Sequence, residues 1–400
     1  MGRAKAEWLE STERGWSECD KLVCADCVED AYLKDVIANN VFGNTCEYCG
    51  RTAPDLIAAP VLCIQEEIAS AVDFFYCEPS AAGVPYESRE GGWLIEPTST
   101  TDVLLSLNLE CHDDLFDDIE GLFLTTDWVP SAKGHWASSH AHELLRAAWE
   151  AFTEIVKHRT RYFFSLPTAE DDSESKQPEP AELLARIGDY VKNFALFKHL
   201  EASTSLYRAR VWADPDVLPD AASIGAPPSE KAAAGRMNPA GIAYLYLARE
   251  PQTAFAETLS RPPCIGAVGM FKTCRSLRVL DLVALPTKPS IFDSGHRTEW
   301  TELTFLKGFV DAITIPIAKD GREHVNYVPS QIVSEYFAKV FRDADGEQLD
   351  GIVYPSTVRP SGQNVVLFPN SWGEFDDKVS FESGWTSTID DWPALQAELS

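Results

Sequence analysis

Glu257 is the carboxylate in this sequence best suited to catalysis. It lies on a predicted helix that begins at Pro251, directly after an apolar, strand-forming run at residues 242–248. Because neighbours such as Ala254 and Phe255 are small or apolar, we expect the helix to pack on a sheet with Glu257 near a strand end, where ligand crevices form. The alternative is a solvated surface acid, which is the commoner role for a helical glutamate.

Two pairs of residues on predicted strands could bind a nucleotide. Arg208 and Arg210 alternate in a strand over residues 205–212, so their guanidinium groups share one face and suit phosphate oxygens. An exposed strand edge is the alternative for this pair. Tyr244 and Tyr246 also share a face and could stack on a base or a cationic ring, although core packing is the commoner role of such tyrosines.

Four cysteines have the spacing of a metal site. Cys24 and Cys27 are separated by two residues, as are Cys46 and Cys49, and eighteen residues lie between the pairs. This spacing is typical of zinc sites in which four thiolates close the coordination sphere, so the zinc is predicted to be structural. Cys19 is a spare thiol or a substitute ligand, and scattered reduced cysteines are the alternative explanation.

Length and composition restrict the functional class. A chain of 400 residues exceeds the usual size of one hydrophobic core, which predicts two domains. The 62 acidic and 34 basic residues give a formal charge of -28, which argues against a direct nucleic-acid surface because phosphate binding needs clustered Lys and Arg. The sequence begins without the apolar core of a signal peptide and has no apolar run of bilayer length, so a cytoplasmic protein without membrane contact is expected.

The predicted elements divide the chain into unlike parts. Residues 1–55 form the zinc-binding segment, residues 56–167 a helical domain, and residues 168–182 a polar linker with two prolines. Residues 183–400 are predicted to form an α+β domain. The helices expected in the two parts cover residues 64–75, 141–156, 181–200, 252–259, 299–309 and 331–341. The expected strands cover residues 205–212, 242–248, 265–272, 276–282, 352–354 and 364–367.

Two further clusters of polar residues are better explained as surface features than as metal sites. One is His112 with its neighbouring aspartates, and the other is a group of three histidines, His135, His140 and His142. Neither has a partner pair at ligand-like spacing. The acidic stretch at residues 110–120 is predicted to be a solvated loop or a helix end.

In chain order, several segments resemble the RES domain family, which is named after an arginine, a glutamate and a serine. The matching segments are Leu-Tyr-Arg-Ala-Arg at 206–210, Gly-Arg-Met-Asn-Pro-Ala-Gly-Ile-Ala-Tyr-Leu-Tyr-Leu-Ala at 235–248, Glu257, Val-Pro-Ser-Gln at 328–331, Leu-Asp-Gly-Ile-Val-Tyr-Pro-Ser at 349–356 and Gly-Gln-Asn-Val-Val-Leu-Phe at 362–368. The resemblance runs from residue 203 to residue 368. The cysteine pairs and the helical stretch before the linker are similar to the HEPN-like N-terminal extension of some RES domains.

The resemblance implies a fold like that of ADP-ribosyltransferases and an enzyme that destroys NAD by phosphorolysis or hydrolysis of the nicotinamide-ribose bond. It also implies a toxin that is held inactive by a helix-turn-helix antitoxin protein. Because nicotinamide leaves NAD as a neutral molecule, the protein needs only to hold the diphosphate, stabilise an oxocarbenium-like centre and position a nucleophile.

Matching positions imply a role for each candidate. Arg208 would clamp phosphate, Glu257 would hold the ribose and steady the positive charge, and Ser330 would fix the ligand or nucleophile. Ser330 also precedes the last predicted helix, where capping alone would account for it, and Ser334 is the second serine candidate. The NAD-binding group is predicted to comprise Arg210, Arg236, Tyr244 and Tyr246, with Tyr246 on the nicotinamide side and Arg236 as a second candidate for the diphosphate.

Other functional classes fit parts of the sequence. Transfer of ADP-ribose to a protein is the closest alternative, because a side chain can trap the same cation. A ribonuclease is suggested only by the HEPN-like label, and the sequence lacks the Arg followed after four to six residues by His that those nucleases use. A zinc-stabilised scaffold without catalysis is the third alternative. The sequence leaves open whether the chain forms a homo-oligomer.

Overall fold

The computed structural model of the chain describes residues 9, 11–89, 91–164, 180–258, 262–315, 321–343 and 345–389. The chain divides into two compact units, Met1–Glu143 with Thr287–Glu302, and Leu144–Pro286 with Leu303–Ser400. Most of the predicted linker, residues 168–179, lies outside the described ranges. Within those ranges, no helix has the length and apolar character needed to span a membrane.

The described part of the first unit combines short helices with small strand pairs. Its helices are α1 (Ala31–Asn39), α2 (Leu62–Phe75), α3 (Thr100–Ser106) and α4 (Asp113–Leu122). Its strands are β1 (Leu22–Cys24), β2 (Ala58–Pro60), β3 (Tyr76–Cys77), β4 (Tyr86–Glu87), β5 (Gly92–Trp93), β6 (Thr98–Ser99) and β7 (Asp127–Pro130). Apolar side chains that recur at helical spacing, such as Leu33 with Ile37 and Ile64 with Ile68, are fully buried and form the core of the unit.

Residues 113–120 of the acidic stretch form most of α4, so of the two predicted alternatives, a solvated loop or a helix end, the loop is wrong and the helix extends over most of the stretch. Leu115 and Ile119, four residues apart, are both buried and attach the helix to the core. The His112 side chain accepts a hydrogen bond from the backbone N–H of Asp114, and acids in the first turn interact favourably with the helix dipole. The many acidic residues of this stretch favoured a solvated segment, because only two positions, Leu115 and Ile119, form its buried apolar stripe.

The second unit is built on an eight-stranded sheet with the order β15-β11-β9-β10-β14-β13-β12-β8. Its strands are β8 (Phe197–Leu200), β9 (Ser205–Trp212), β10 (Leu245–Ala248), β11 (Cys264–Thr273), β12 (Leu277–Asp281), β13 (Gly351–Pro355), β14 (Gln363–Leu367) and β15 (Val379–Ile389). All neighbouring strands are antiparallel except β12 and β13. Remaining helices in chain order are α5 (Ala141–His158), α6 (Pro180–Asn193), α7 (Ala221–Ile224), α8 (Pro251–Thr258), α9 (Arg297–Thr314), α10 (Glu323–Asn326) and α11 (Val328–Glu335).

Both sides of the central strands are covered, as the apolar sequences of β13 and β14 require. Val353 and Val365 face one core cluster, whereas their neighbours Ile352 and Val366 face another that includes side chains of α9 and α11. This mixed α+β architecture confirms the predicted fold class of a mainly helical first part followed by an α+β domain.

Some predicted element boundaries were wrong. The helix expected at 181–200 ends at Asn193, and the following residues turn to form β8, which pairs with β12. The apolar spacing of this stretch suits either structure, and long-range pairing decided between them. The strand expected from residue 242 begins at Leu245, and the last predicted helix begins at Val328 and continues as a π-helix over Tyr336–Val340.

Candidate functional site

Glu257 lies near the end of α8, which packs on the sheet. Pro251 begins this helix, and Ala254 and Phe255 are buried against Ala209 and Ala248 of two neighbouring strands. Pro at the first helical position costs no hydrogen bond, because the first N–H groups of a helix have no partner within it. The Glu257 side chain itself is exposed.

Two side chains hold one oxygen of this carboxylate. Ser356 Oγ donates to Glu257 Oε1 at 2.8 Å, and Asn364 Nδ2 donates to the same oxygen at 2.6 Å. Ser356 directly follows β13 and Asn364 lies on β14, so a pair of adjacent strands delivers both donors. Neither bond uses Oε2, which can therefore accept a hydrogen bond from a ligand.

The turn after β13 closes on α8. The backbone N–H of Arg359 donates to Ser356 Oγ at 3.2 Å, which fixes the start of the turn. Gly362, at its end, approaches Thr253 so closely that a Cβ atom would lie 2.7 Å from Thr253 Oγ1. A larger residue at this position would therefore have to displace the Thr253 side chain.

The turn at residues 235–241 is organised by the side chains of Asn238 and Tyr246. Asn238 Nδ2 donates to the carbonyls of Ala233 and Ile242, and Tyr246 Oη donates to Asn238 Oδ1 at 2.8 Å. The backbone N–H of Met237 in turn donates to Tyr246 Oη at 2.9 Å. The Tyr246 hydroxyl is thus both donor and acceptor within the protein.

Helix α11 is attached to this turn by two side chains. Ser330 Oγ donates to the Arg236 carbonyl at 2.6 Å, and Gln331 Nε2 donates to the carbonyls of Gly235 and Asn238 at 2.8 and 2.9 Å. Since α11 begins at Val328, Ser330 is its third residue, and the helix-cap explanation was wrong. The Ser330 hydroxyl positions the Arg236 backbone.

Arg236 spans from the turn to the end of α9. Its Nη1 donates to the carbonyls of Ile313 and Ile315 at 3.1 and 2.7 Å, where the last carbonyls of a helix need donors from outside it. Its guanidinium carbon lies 5.8 Å from the centre of the Tyr327 ring. The Arg236 side chain therefore links the 235–241 turn to the end of α9, while Ser330 holds the Arg236 backbone.

The buried phenol of Tyr354 interacts electrostatically with four side chains, those of Tyr246, Glu257, Arg236 and Tyr327. Burial raises its pKa well above the ordinary value, Tyr246, Glu257 and Tyr327 raise it further, and Arg236 opposes them. Interactions of this kind require proximity, so Glu257 and Arg236 both lie near Tyr354, which also pairs across the strands with Asn364.

Arg208 carries a partly buried, incompletely paired cation. Its Nη1 has no hydrogen-bond partner among the described residues. Burial lowers the pKa of Arg208 to about 10, with a further contribution from Arg210, while Tyr246 opposes the shift. Arg210 Nη2 donates to the Gly225 carbonyl at 2.8 Å. An anion that reached Arg208 would satisfy a donor that the protein leaves unused.

The structure does not bring Arg208 directly to Glu257. Ala248 pairs with both Tyr207 and Asn364, and paired residues on antiparallel strands share a sheet face. Arg208 therefore lies on the opposite side of β9 from the Glu257–Asn364 pair. Its electrostatic interaction with Tyr246 is its connection with the rest of the site.

Two predicted residues occupy core positions. Tyr244 is 3% exposed and packs on Phe368, with 5.2 Å between ring centres. Ser334 is fully buried on α11. These positions fit the core-packing alternative for Tyr244 better than contact with a ligand.

Sequence reasoning assigned no role to Ser356 or Asn364, although both lie in segments that carry the family resemblance. A signal was present: Asn364 directly precedes the apolar run Val-Val-Leu in the same predicted strand, and the structure shows that it is only 6% exposed. A buried polar residue on a central strand needs a partner, and here the partner is Glu257.

The four free cysteines of the two Cys-X-X-Cys segments lie together, as their spacing predicted for a metal-binding group. All four Sγ atoms lie within 4.8 Å of one another, and Cys24 Sγ lies 3.8 Å from Cys27 Sγ and 3.6 Å from Cys49 Sγ. Four sulfurs around zinc at about 2.3 Å in a tetrahedron would be about 3.8 Å apart. The cluster is therefore compatible with a bound metal ion of this kind.

Other candidate ligands stay outside this cluster. Cys19 lies apart from the four and its Sγ is 3.7 Å from the Tyr48 hydroxyl. Among the described residues, the histidines contribute to no group of three or more metal-ligand atoms at such distances. His140 instead contacts the Ser131 carbonyl at 2.9 Å and packs in a tilted arrangement against Phe74 and Phe75, with ring centres 4.7 and 5.0 Å apart.

Comparisons with known protein families gave two matches along the chain. Residues 39–170 match the family described as HEPN/RES N-terminal domain 1, and residues 205–393 match the RES domain family. Searches of curated proteins and of solved structures gave no significant match. The chain therefore contains an HEPN/RES N-terminal domain followed by a RES domain.

Proposed function

We propose that the RES domain binds NAD and cleaves the bond between nicotinamide and ribose. The observation that carries this proposal is the Glu257 carboxylate, in which Ser356 and Asn364 both bond to Oε1 and neither bonds to Oε2. A fixed, solvent-accessible carboxylate suits a substrate that carries ribose hydroxyls and develops positive charge at the adjacent carbon.

The reaction requires little acid-base chemistry. As the bond between the ribose carbon and the nicotinamide nitrogen breaks, its electron pair passes to the pyridinium ring, and nicotinamide leaves as a neutral molecule. The negative charge of Glu257 stabilises the cationic sugar, and Oε2 accepts a hydrogen bond from a ribose hydroxyl. A phosphate oxygen or a water oxygen then bonds to the same carbon, and water also loses a proton to the solvent.

The remaining groups bind and orient the substrate. Arg208, which has an unused donor but lies on the opposite side of β9 from the Glu257–Asn364 pair, is proposed to contact the diphosphate where it extends away from the ribose held by Glu257. The 235–241 turn with Tyr246 is proposed to lie beside nicotinamide. Ser330 acts through the Arg236 backbone, so it is a positioning residue. In this proposal Ser356, which touches the carboxylate directly, takes a larger part in catalysis than Ser330.

The cysteine cluster is proposed to bind one structural zinc ion. Four thiolates leave no open coordination position for a substrate, and Cys24 and Cys27 are buried beside Cys46. The ion would stabilise the fold of the first unit. RES domains are associated with toxin-antitoxin systems, and a protein antitoxin that blocks NAD access is the expected partner.

The products formed from NAD test the proposed reaction. Purified protein is incubated with NAD in phosphate buffer and in phosphate-free buffer, and all products are identified by mass spectrometry. Free ADP-ribose indicates hydrolysis, a phosphorylated ADP-ribose indicates phosphorolysis, and ADP-ribose attached to protein indicates transfer. Unchanged NAD in both buffers, with the protein folded, would contradict the proposal.

A further inference from the structure

The first unit contains a second concave site that the NAD reaction does not use. It is an open cleft of about 1060 Å³, and all of its lining residues belong to the first unit. The segment after Thr287 forms one wall, where Ser290 Oγ donates to Asp30 Oδ2 at 2.9 Å and Phe292 is 1% exposed in the core. The wall is thus anchored at two points.

The charge of the cleft is strongly negative. Four carboxylates line it, those of Asp30, Asp35, Glu143 and Asp293, against one cation, Lys288. Nearby acids also act on the lining residue Tyr32: burial raises its pKa to about 12, with further contributions from Glu67, Asp293 and Asp30. A cationic ligand would be attracted to these walls and an anionic ligand repelled.

Aromatic side chains form the rest of the wall, and one of them already carries a cation. Trp136, Trp300 and Tyr76 line the cleft, and Lys288 Nζ lies 4.6 Å from the centre of the Trp300 ring. This contact demonstrates within the protein that the aromatic wall accepts positive charge. A guanidinium group suits such a wall better than a second ammonium group, because it is planar, stacks on rings and bonds carboxylates through two donors.

A buried hydroxyl independently points to a ligand. Ser131 lines the cleft and is 4% exposed, and its Oγ has no hydrogen-bond partner among the described residues. Buried hydroxyl groups are normally paired, so the cleft retains hydrogen-bonding capacity that the protein does not satisfy.

We propose that this cleft binds an arginine side chain presented by a partner polypeptide. The acids supply the charge, the indole rings supply a stacking surface, and the open shape admits a side chain that remains attached to a main chain. The formal charge of -28 favours approach of a basic partner. This proposal is independent of the reaction at Glu257.

Isothermal titration calorimetry with small blocked probes tests the inference. The cationic probe is Gly-Arg-Gly with both ends blocked, and the neutral control replaces arginine by citrulline, which has nearly the same shape. The arginine probe is expected to bind at least about tenfold more tightly than the citrulline probe. Equal affinities, or no binding of either probe, would overturn the proposal.

Matched variants locate the binding. The double variant Asp35→Asn with Glu143→Gln is expected to weaken the arginine probe about fivefold, because it removes two carboxylates from the cleft. The control, Glu154→Gln with Glu230→Gln, removes the same charge elsewhere and should leave the affinity unchanged. An equal loss in both variants would show that only net charge attracts the probe. Tighter binding of free arginine than of the blocked peptide would overturn the assignment to a polypeptide.

Discussion

Replacing Asn364 by leucine tests whether the orientation of Glu257 matters for the reaction. Leucine has the same branched arrangement of heavy atoms as asparagine but lacks the donor that lies 2.6 Å from Glu257 Oε1. Ser356 remains at 2.8 Å, so the carboxylate keeps one of its two donors and can rotate about that contact. The variant therefore removes orientation without removing the charge.

The size of the effect follows from the strength of that bond. A hydrogen bond to a charged group contributes about 1.5 to 3 kcal/mol, and the lower value applies here because the Glu257 side chain is exposed and water replaces part of the lost interaction. A loss of about 1.4 kcal/mol in the transition state lowers kcat/KM about tenfold. Because the carboxylate acts on charge that develops during the reaction, most of this loss should fall on kcat rather than on KM.

Steady-state kinetics of nicotinamide release measure this effect, with thermal unfolding as a check on the fold. Gln363→Leu is the matched control, since it changes the preceding residue of the same strand and leaves both donors to Glu257 in place. It is expected to keep the activity of the unaltered protein. A folded Asn364→Leu variant with full kcat/KM, or an equal loss in both variants, would refute the positioning role of Asn364.

Three other changes probe the remaining features. In Gly235→Ala, the added Cβ would lie 2.6 Å from Asn238 Oδ1 and 2.7 Å from Tyr246 Oη, so the 235–241 turn must shift. The KM for NAD is therefore expected to rise about tenfold. An unchanged KM would argue against a role for this turn in binding. Arg208→Met removes a partly buried cation whose Nη1 is unpaired and whose pKa is lowered to about 10, so Tm should stay constant or rise. NAD binding, measured by calorimetry, should weaken by about 1.5 to 3 kcal/mol. A lower Tm with unchanged binding would contradict the phosphate role. Cys46→Ser should reduce bound zinc from one ion to none in native mass spectrometry and lower Tm by about 10 °C. Cys274→Ser is the control, because this exposed cysteine lies outside the cluster and its change should have neither effect. Zinc retained by Cys46→Ser would disprove the four-thiolate site.

Local sequence patterns identified most elements of the fold. The strand at Ser205–Trp212 and the helix beginning at Pro251 follow from apolar alternation and from a proline placed where a helix can accept it. The patterns failed where distant residues decide the structure. Residues 197–200 fit a helix until β12 is available as a pairing partner, and no feature of their own sequence specifies that partner.

The same distinction applies to the site. Glu257 could be found from its position after a strand, but the two donors that orient it lie about a hundred residues further along the chain. Their contact with Glu257 depends on α8 packing beside β13 and β14, which local spacing cannot reveal. Ser330 was selected by its place in the family pattern, yet its hydroxyl holds the Arg236 backbone.

The cysteine cluster, unlike the contacts of Glu257, could be predicted from local sequence. Its ligand geometry is largely set by short spacings within each pair, so Cys24 with Cys27 and Cys46 with Cys49 could be grouped from sequence alone. The arginine cleft could not be grouped in this way, because its walls come from segments as far apart as Asp30 and Ser290.

The most direct test of the proposed reaction compares nicotinamide release from NAD by the unaltered protein and by Glu257→Gln. Glutamine keeps the size of the side chain and an oxygen that can accept from Ser356 and Asn364, so the fold should be retained while the negative charge is lost. We expect steady release of nicotinamide by the unaltered protein and at least about a hundredfold lower rate for the variant. Equal rates for the two proteins, each folded and each with the same zinc content, would contradict the assignment of Glu257 as the catalytic carboxylate.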